Sequence, residues 1–402
     1  MNKGVCAPKG FKAAGVYCGI RKNKTKKDLG LIYSERMCSA ACVYTQNKVQ
    51  CAPIAVTREN VADGRARALI CNSGIANACA AGGLDAARGM CLYVAEALGI
   101  SAADVVVAST GVIGPSIPME AVRKGIPVLV EKLSAEGGED FSSAIMTTDT
   151  FAKQVSVSFE AGGVTCMMGG TAKGSGMIAP NMATMLAFIT TDAALDPAVL
   201  QIALNAAVQS SFNMISVDGD TSTNDMLTVL ANGAAGNKLI EDVSGADFRN
   251  FFNALGIVCA ELSKMLAKDG EGATKLIEVR VSGAENIKSA RILAKSVVDS
   301  NLVKAAMFGA DANWGRVLCA LGYSGAEFDP FGVSVSFKSA AGEIQVCEGG
   351  AGIAFDEDKA KKILLEDEVK ILVSVGRGEG AAVAWGCDLT YDYVKINGDY
   401  RT

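Results

Sequence analysis

The chain has 402 residues, half of them hydrophobic and 20% charged, which is the composition of a folded protein with a large core. Its 38 basic and 43 acidic side chains give a net charge of −5, which argues against a broad nucleic-acid-binding surface. The absence of histidine excludes Ser-His-Asp and Cys-His catalytic groups and the zinc sites that contain histidine.

The first elements that the sequence predicts are a helix over Ala86–Gly99 and a buried strand, "DVVVA", over Asp104–Ala108. The segment "ASTGVIG" follows this strand, with a hydroxyl at Thr110 and a backbone amide at Gly111. Such a pair of donors is suitable for an oxyanion hole. From this stretch alone, an ordinary strand-to-loop turn is the favoured interpretation.

The middle of the chain alternates strands and helices. A strand is predicted over Lys153–Glu160, and the loop "KGSGM", Lys173–Met177, lacks the ending of a phosphate-binding P-loop. The apolar segment "ATMLAFIT", Ala183–Thr190, predicts a buried strand in which Thr184 would be an unremarkable strand residue. A helix over Asp196–Phe212 begins with an N-cap aspartate followed by proline.

A long helix over Asp247–Gly272 precedes a region of shorter elements. The sequence predicts these further elements: strands at Lys275–Gly283, Gly332–Lys338 and Val369–Gly378, and a helix at Lys288–Met307. The fold class is therefore α/β, of the mixed α+β kind, with mixed sheets covered by helices. We expect a larger domain of residues 1–275 and a smaller C-terminal α/β domain of residues 276–402.

No metal site is predicted. The "CSAAC" segment, Cys38–Cys42, has no second cysteine pair at zinc-like spacing, so two small buried residues are the better interpretation. The segment "SVDGDTSTND" contains Asp218, Asp220 and Asp225, but the glycine and final glutamate of a calcium loop are not at the positions which that motif requires, so a turn is the better interpretation.

The cellular setting follows from cysteines and hydropathy. The 13 cysteines are odd in number and lie in apolar segments, where cysteine behaves as a small buried hydrophobe, so we expect a reducing cytoplasm. No secretory signal pattern and no membrane-spanning apolar run occurs in the sequence, so no membrane association is expected.

Without histidine, few nucleophilic mechanisms remain. They are a Ser/Lys pair, a carboxylate nucleophile, or an N-terminal Thr, Ser or Cys whose own amine acts as the base. The alternatives are a metal bound by carboxylates or thiolates, or a non-catalytic binding or scaffold protein. Composition and pattern alone leave these alternatives open.

Several long motifs occur in the order of one known family. They are "APKGFKAAGVYCGIRK", "SAACVYTQN", "NSGIANAC", "ASTGVIG", "KGSGMIAPNMATMLAFITTDA", "SVDGDTSTNDM", "FGADANWGR" and "YVKINGDYRT". With these motifs the chain resembles the glutamate N-acetyltransferase family, the ornithine acetyltransferase of arginine biosynthesis, from about residue 7 to residue 402. Gly398, in place of an alanine common in the family, is a small departure.

The resemblance implies a precursor that cuts itself between Ala183 and Thr184, giving an alpha chain of residues 1–183 and a beta chain of residues 184–402. Thr184 becomes a new N-terminus and the nucleophile, and its α-amine, with an ordinary pKa of about 7.7–8.0, acts as the base. The implied reaction moves acetyl from N2-acetyl-L-ornithine to L-glutamate through acetyl-Thr184, giving N-acetylglutamate and ornithine.

The resemblance also implies the site. Thr110 and Gly111 match its oxyanion hole, and its substrate-binding positions correspond to Thr150, Lys173, Thr184, Glu271, Asn397 and Thr402. Lys173 would pair with a substrate α-carboxylate, and Glu271 with the side-chain ammonium of ornithine, although a solvated acid at a helix end is the ordinary interpretation of Glu271.

No cofactor is implied, and the family suggests a heterotetramer of two alpha and two beta chains. Some members also use acetyl-CoA as a donor, and the sequence leaves that bifunctional activity open. The nearest alternative function is an amidohydrolase or aminopeptidase with the same N-terminal nucleophile.

Overall fold

A computed structural model describes residues 3–179 and 185–399. Within these residues the α-helices are α1 (Ala52–Asn60), α2 (Gly83–Leu98), α3 (Met119–Glu131), α4 (Gly138–Ile145), α5 (Pro197–Val208), α6 (Ala246–Lys268), α7 (Ile287–Asp299), α8 (Asn301–Phe308), α9 (Trp314–Gly322), α10 (Glu357–Leu364) and α11 (Tyr391–Asp399). The strands are β1 (Phe11–Val16), β2 (Leu29–Tyr44), β3 (Arg65–Asn72), β4 (Val105–Ser109), β5 (Lys153–Ala161), β6 (Val164–Lys173), β7 (Leu186–Thr191), β8 (Ile215–Ser216), β9 (Met226–Ala231), β10 (Leu276–Ala284), β11 (Ser334–Ser339), β12 (Gly342–Glu348), β13 (Ala351–Gly352), β14 (Glu368–Ser374) and β15 (Gly380–Cys387).

The chain divides into two compact units. The first consists of Met1–Gly174, Asn181–Gln209 and Thr221–Leu262. Its sheet has the strand order β4-β3-β2-β9-β7-β6-β5, with β1 paired to β2. The pairs β3–β4 and β7–β9 are parallel and the other neighbours are antiparallel, so the sheet is mixed.

Both faces of the first sheet are buried. Successive strand residues point to opposite sides of a sheet, so alternate residues enter different apolar clusters. In β4, Val105 and Val107 join one apolar cluster with α2 and α3, whereas Val106 joins the other cluster with Phe141 of α4. A strand buried on both faces needs a continuous apolar sequence, which "VVVA" provides.

The ends of three neighbouring strands lie side by side in this sheet. The last residue of β6, Lys173, pairs with Leu186, the first residue of β7, and Leu186 pairs in parallel with Met226, the first residue of β9. The segment that separates β6 from β7 therefore leaves and re-enters the sheet on adjacent strands.

The second unit consists of Ser175–Pro180, Ser210–Asp220 and Ser263–Thr402. Its mixed sheet has the order β13-β12-β11-β14-β10-β15-β8. Apolar residues of α7 such as Leu293 and Val297 are buried, because their spacing places them on one face of the helix.

The predicted α/β class with helix-covered mixed sheets is confirmed, and one predicted helix is wrong. Lys288–Met307 is two helices, α7 and α8, because Ser300 has extended backbone and caps α8 by accepting a hydrogen bond from Val303 N. The long helix α6 ends at Lys268, before the glycines of the predicted Asp247–Gly272. The predicted boundary at residue 275 describes domains that fold independently, and it stays a prediction.

Two further patterns were interpreted from sequence. Cys38 and Cys42 are buried within β2, as small apolar residues would be. Asp218 accepts a hydrogen bond from Asp220 N at 3.2 Å, which is the Asx turn expected of that segment. Among the described residues, no helix is both long and apolar enough to cross a membrane.

Candidate active site

Thr110 and Gly111 begin a loop that backbone hydrogen bonds attach to the end of β3. Thr110 N donates to Asn72 O at 2.9 Å, and Val112 N donates to Gly74 O at 3.1 Å. Thr110 is buried. Because both sides of the loop are bonded, its backbone is held in one geometry before any ligand is present.

Gly111 occupies a position that only glycine fits. Its φ is +126°, which residues with a side chain rarely adopt, and an added Cβ would lie 2.3 Å from the carbonyl carbon of Gly74. Within the described part of the chain, the N–H of Gly111 donates no hydrogen bond. The loop therefore presents an oriented backbone donor next to the Thr110 hydroxyl.

Lys173 lies beside this hydroxyl. Its Nζ is 3.1 Å from Thr110 Oγ1, and its side chain is buried. Burial lowers the pKa of Lys173, and the Lys153 ammonium lowers it further, whereas the Asp149 carboxylate opposes both effects. Since Lys173 donates to Oγ1, the hydroxyl proton of Thr110 is directed elsewhere.

Asp149 and Lys153 form a buried ion pair in the same unit. Lys153 Nζ is 2.7 Å from Asp149 Oδ1, and neither side chain is exposed. Asp149 Oδ1 also accepts from Gly174 N at 2.7 Å, and its Oδ2 accepts from Thr147 N at 2.9 Å. Burial raises the pKa of Asp149, but Lys153, Lys173 and the Gly174 N–H outweigh it and lower that pKa to about 2.

Two further polar residues of the first unit, Thr150 and Asp225, differ in burial. Thr150, a predicted substrate-binding residue, directly follows Asp149 and is exposed. Asp225, directly before β9, is buried, and its Oδ2 has no hydrogen-bond partner among the described residues. Burial therefore raises the pKa of Asp225 well above its ordinary value, although Ser222, Lys173 and Thr45 oppose this.

Glu271 and Asn397 meet in the second unit. Asn397 on α11 donates from Nδ2 to Glu271 Oε2 at 2.8 Å. Glu271 N donates to Ser175 O at 2.8 Å, and a Cβ at Gly176 would lie 2.3 Å from the Glu271 carboxylate. Gly176 thus allows the chain to pass directly against this carboxylate, which is half-buried, while Asn397 is exposed.

The structure brings the predicted residues together in two groups, one in each unit. Thr110, Gly111 and Lys173 form the first, and Glu271 and Asn397 form the second. Ala183, Thr184 and Thr402 lie outside the described residues, so the cleavage site, the nucleophile and one substrate contact stay predictions.

Four buried polar residues support the first group: Asp149, Lys153, Asn224 and Asp225. Sequence reasoning missed the first three and interpreted Asp225 only as part of a turn. Asp149 and Lys153 are four residues apart but do not lie on a helix, so spacing gave no sign of their ion pair. For Asn224 and Asp225 the segment "TSTND" was the available signal, because polar residues directly before an apolar strand are costly to bury without a partner.

The sequence has close relatives of known name. The profile of the ArgJ family matches residues 12–402. The chain is 54% identical to the arginine biosynthesis bifunctional protein ArgJ of Caldanaerobacter subterraneus over 396 residues, covering 98% of both chains. It is 55% identical to the protein of that name from Symbiobacterium thermophilum over 402 residues, covering 99% of this chain and 98% of the relative.

A solved structure agrees with these relatives. The crystal structure of the arginine biosynthesis bifunctional protein ArgJ of Bacillus halodurans is 48% identical, with a TM-score of 0.51, and the match covers 53% of this chain and 98% of that one. Family profile, full-length relatives and solved structure all lead to one assignment. The chain belongs to the ArgJ family and is an acetyltransferase of arginine biosynthesis.

Proposed function

We propose that this enzyme moves the acetyl group of N-acetylornithine to glutamate through an acetyl ester on Thr184. The observation that carries the proposal is the Thr110–Gly111 loop. It offers a buried hydroxyl and an unbonded backbone N–H held by neighbouring backbone bonds. Preorganised donors of this kind stabilise the negative charge that develops when a carbonyl carbon becomes tetrahedral.

The reaction has two balanced halves. The Thr184 hydroxyl oxygen attacks the acetyl carbonyl carbon of N-acetylornithine, and the Thr184 α-amine accepts the hydroxyl proton. The C–N bond breaks, that proton passes to the departing nitrogen, and ornithine leaves. The amine of glutamate then attacks the ester carbon and gives a proton to the Thr184 α-amine, the C–O bond breaks, and that proton passes to the Thr184 oxygen.

The loop acts in both halves. Each tetrahedral oxyanion accepts hydrogen bonds from Gly111 N–H and from the Thr110 hydroxyl. Lys173 supports this role, because its hydrogen bond to Thr110 Oγ1 leaves the hydroxyl proton available for the oxyanion. Removal of one such donor costs about 10²–10³-fold in kcat in other acyl-transfer enzymes.

Substrate recognition is assigned to the remaining predicted residues. The Glu271 carboxylate binds the side-chain ammonium of ornithine, and Asn397 orients that carboxylate through its 2.8 Å hydrogen bond. Lys173 also binds a substrate α-carboxylate, and Thr150 and Thr402 complete the substrate contacts. Support for Glu271 is its half-buried position, because partial burial strengthens a charged hydrogen bond.

Self-cleavage between Ala183 and Thr184 creates the nucleophilic N-terminus. One comparison supports it: the solved Bacillus halodurans chain matches only 53% of this chain although 98% of its own length is covered. A beta chain of residues 184–402 would likewise make up a little over half of the full sequence.

Three further assignments complete the proposal. Acetyl-CoA serves as an alternative acetyl donor, which the name "bifunctional" of the relatives supports. Two alpha and two beta chains assemble as a heterotetramer. The enzyme acts in the cytoplasm, as supported by thirteen cysteines, all within the described residues, that form no disulfide.

Product analysis tests the reaction. Purified protein is incubated with N-acetylornithine, with and without glutamate, and with glutamate plus acetyl-CoA alone. We expect N-acetylglutamate and ornithine from N-acetylornithine plus glutamate. We expect N-acetylglutamate from acetyl-CoA plus glutamate. Acetate released at the same rate with and without glutamate would instead show a hydrolase.

Mass analysis tests the nucleophile. The wild-type protein should separate into two fragments divided before Thr184, and Thr184→Ala should remain a single 41.5 kDa chain without transferase activity. An intact wild-type chain, or an active Thr184→Ala variant, contradicts the proposal.

A further inference from the structure

Asn224 lies two residues before β9 and is almost completely buried, with 6% of its surface exposed. Its Nδ2 donates to Ala76 O at 2.6 Å and to Ser109 O at 2.8 Å, and its Oδ1 accepts from the Thr223 hydroxyl at 2.5 Å. Both amide protons and the amide oxygen are therefore used, which is the arrangement of a residue that fixes its surroundings.

The two carbonyls that Asn224 binds belong to different segments. Ser109 directly precedes Thr110, and its carbonyl belongs to the peptide unit that joins the two residues. Ala76 lies on the opposite segment, where its N–H donates to Val112 O at 2.8 Å. One side chain thus bonds both to the start of the Thr110–Gly111 loop, called the oxyanion loop below, and to the segment paired with it.

The backbone that follows Asn224 is hydrogen-bonded to the residue directly before β7. Two residues further along the chain, Met226 N donates to Met185 O at 2.9 Å. Met185 directly follows Thr184, the nucleophile of the proposed function. The backbone from Asn224 to Met226 therefore connects the oxyanion loop with the strand that follows the nucleophile.

We infer that Asn224 is a positioning residue that sets the oxyanion loop against the nucleophile strand. The inference rests on the proposed function, because it needs acyl transfer at Thr184. Asn224 acts through the peptide units of Ser109 and Ala76 and need not touch the substrate. Misplacement of a catalytic donor by about 1 Å can cost about 10²-fold in rate, so loss of this support should lower kcat.

Asn232 provides a matched control at the other end of β9. It is also 6% exposed, and its Nδ2 also donates to two oxygens, Lys9 O at 2.9 Å and Ser34 Oγ at 3.3 Å. Its partners are not part of the oxyanion loop. Replacing either asparagine by alanine removes the same chemistry from the same depth of burial.

The experiment compares Asn224→Ala and Asn232→Ala in the purified, processed enzyme. kcat and KM for acetyl transfer from N-acetylornithine to glutamate are measured together with Tm. We expect both variants to lose Tm, and only Asn224→Ala to lose kcat, by about 10–100-fold with KM nearly unchanged. An Asn224→Ala enzyme whose kcat equals that of Asn232→Ala overturns the inference.

Thr223→Val keeps the inference testable if Asn224→Ala does not fold. This variant removes only the hydroxyl that donates to Asn224 Oδ1, so the amide loses orientation but keeps its two donors. We expect a smaller fall in kcat, again without a rise in KM, and an unchanged kcat contradicts the inference. If the wild-type enzyme itself transfers no acetyl group, the proposed function fails; if it does and neither position affects kcat, only the role of Asn224 fails.

Discussion

The two groups of candidate site residues differ in how they meet water. In the first unit, Asp149, Lys153 and Lys173 are buried, and each charge depends on protein partners. In the second unit, the Glu271 carboxylate is half-buried and its partner Asn397 is exposed. Buried polar groups must be paired because solvent cannot replace a lost partner, whereas exposed groups can exchange a partner for water.

This difference indicates a division of work. The first group is suited to holding donors in one geometry, since its atoms are constrained from several sides. The second group is suited to recognising a charged substrate, since its side chains remain accessible and can change partners on binding. Substitutions in the first group should therefore affect stability and kcat, and those in the second should affect KM.

The largest expected effect comes from breaking the buried ion pair. Lys153→Met leaves the Asp149 carboxylate buried without its 2.7 Å partner, so the free energy of unfolding should fall by about 3–5 kcal/mol. Denaturant unfolding measures it. The additional change Asp149→Asn, which removes the uncompensated charge, should restore part of the loss.

An exposed ion pair is the control for this prediction. Lys338 and Glu343 are 2.8 Å apart with about half of each side chain exposed, and Lys338→Met should cost less than about 1 kcal/mol. Equal losses for Lys153→Met and Lys338→Met would remove the energetic difference between buried and exposed groups.

The second prediction concerns the Thr110–Gly111 loop, the proposed oxyanion hole. Gly111→Ala places a Cβ 2.3 Å from the Gly74 carbonyl carbon, so the loop must move and kcat should fall by about 10²–10³-fold. Steady-state kinetics of acetyl transfer measure the change. Gly114→Ala is the matched control, because Gly114 also has positive φ, +107°, but a Cβ there meets nothing within 4 Å. An active Gly111→Ala enzyme would show that the loop geometry is not needed.

The third prediction concerns pH. The pKa of Asp149 is about 2 in the folded protein and 3.8 ordinarily, so the folded state binds this proton less readily than the unfolded state. Its contribution to stability, about 2 kcal/mol, is thus present above about pH 4 and is lost as the pH falls through 2. Denaturant unfolding across this range should show a steeper loss for wild type than for Asp149→Asn. Identical pH dependence of the two proteins would contradict the assignment.

Sequence patterns predicted local structure well where one segment decides it. The apolar run at β4, the capped start of α5 at Asp196 and the glycine at 111 were all visible locally. The split at Ser300 was missed because apolar spacing continues across it, and only the capping bond to Val303 reveals the break. Nucleophile and oxyanion positions came from the family resemblance, not from periodicity.

The supporting residues of the site could not be predicted in this way. Asn224 contacts Ala76 and Ser109, which are far away in the chain, and no spacing rule relates these positions. The contact between Lys173 and Thr110 likewise depends on which strands are neighbours in the sheet. Burial of polar side chains becomes visible only after the sheet order is known.

The smallest expected effect on stability belongs to Glu271 in the second group. Glu271→Gln keeps the shape of the side chain and an oxygen for Asn397, so the free energy of unfolding should change by less than about 0.5 kcal/mol. The lost charge should raise KM for N-acetylornithine about tenfold or more, since a hydrogen bond to a charged group contributes about 1.5–3 kcal/mol.

The two substrates separate recognition from a general defect. Glutamate carries no side-chain ammonium, so its KM should not rise in Glu271→Gln, and the removal of a like charge favours its binding. Glu343→Gln, on an exposed strand pair, should leave both KM values unchanged. A parallel rise in KM for N-acetylornithine and glutamate would mean that Glu271 shapes the site rather than recognising ornithine, and the second group would then resemble the first.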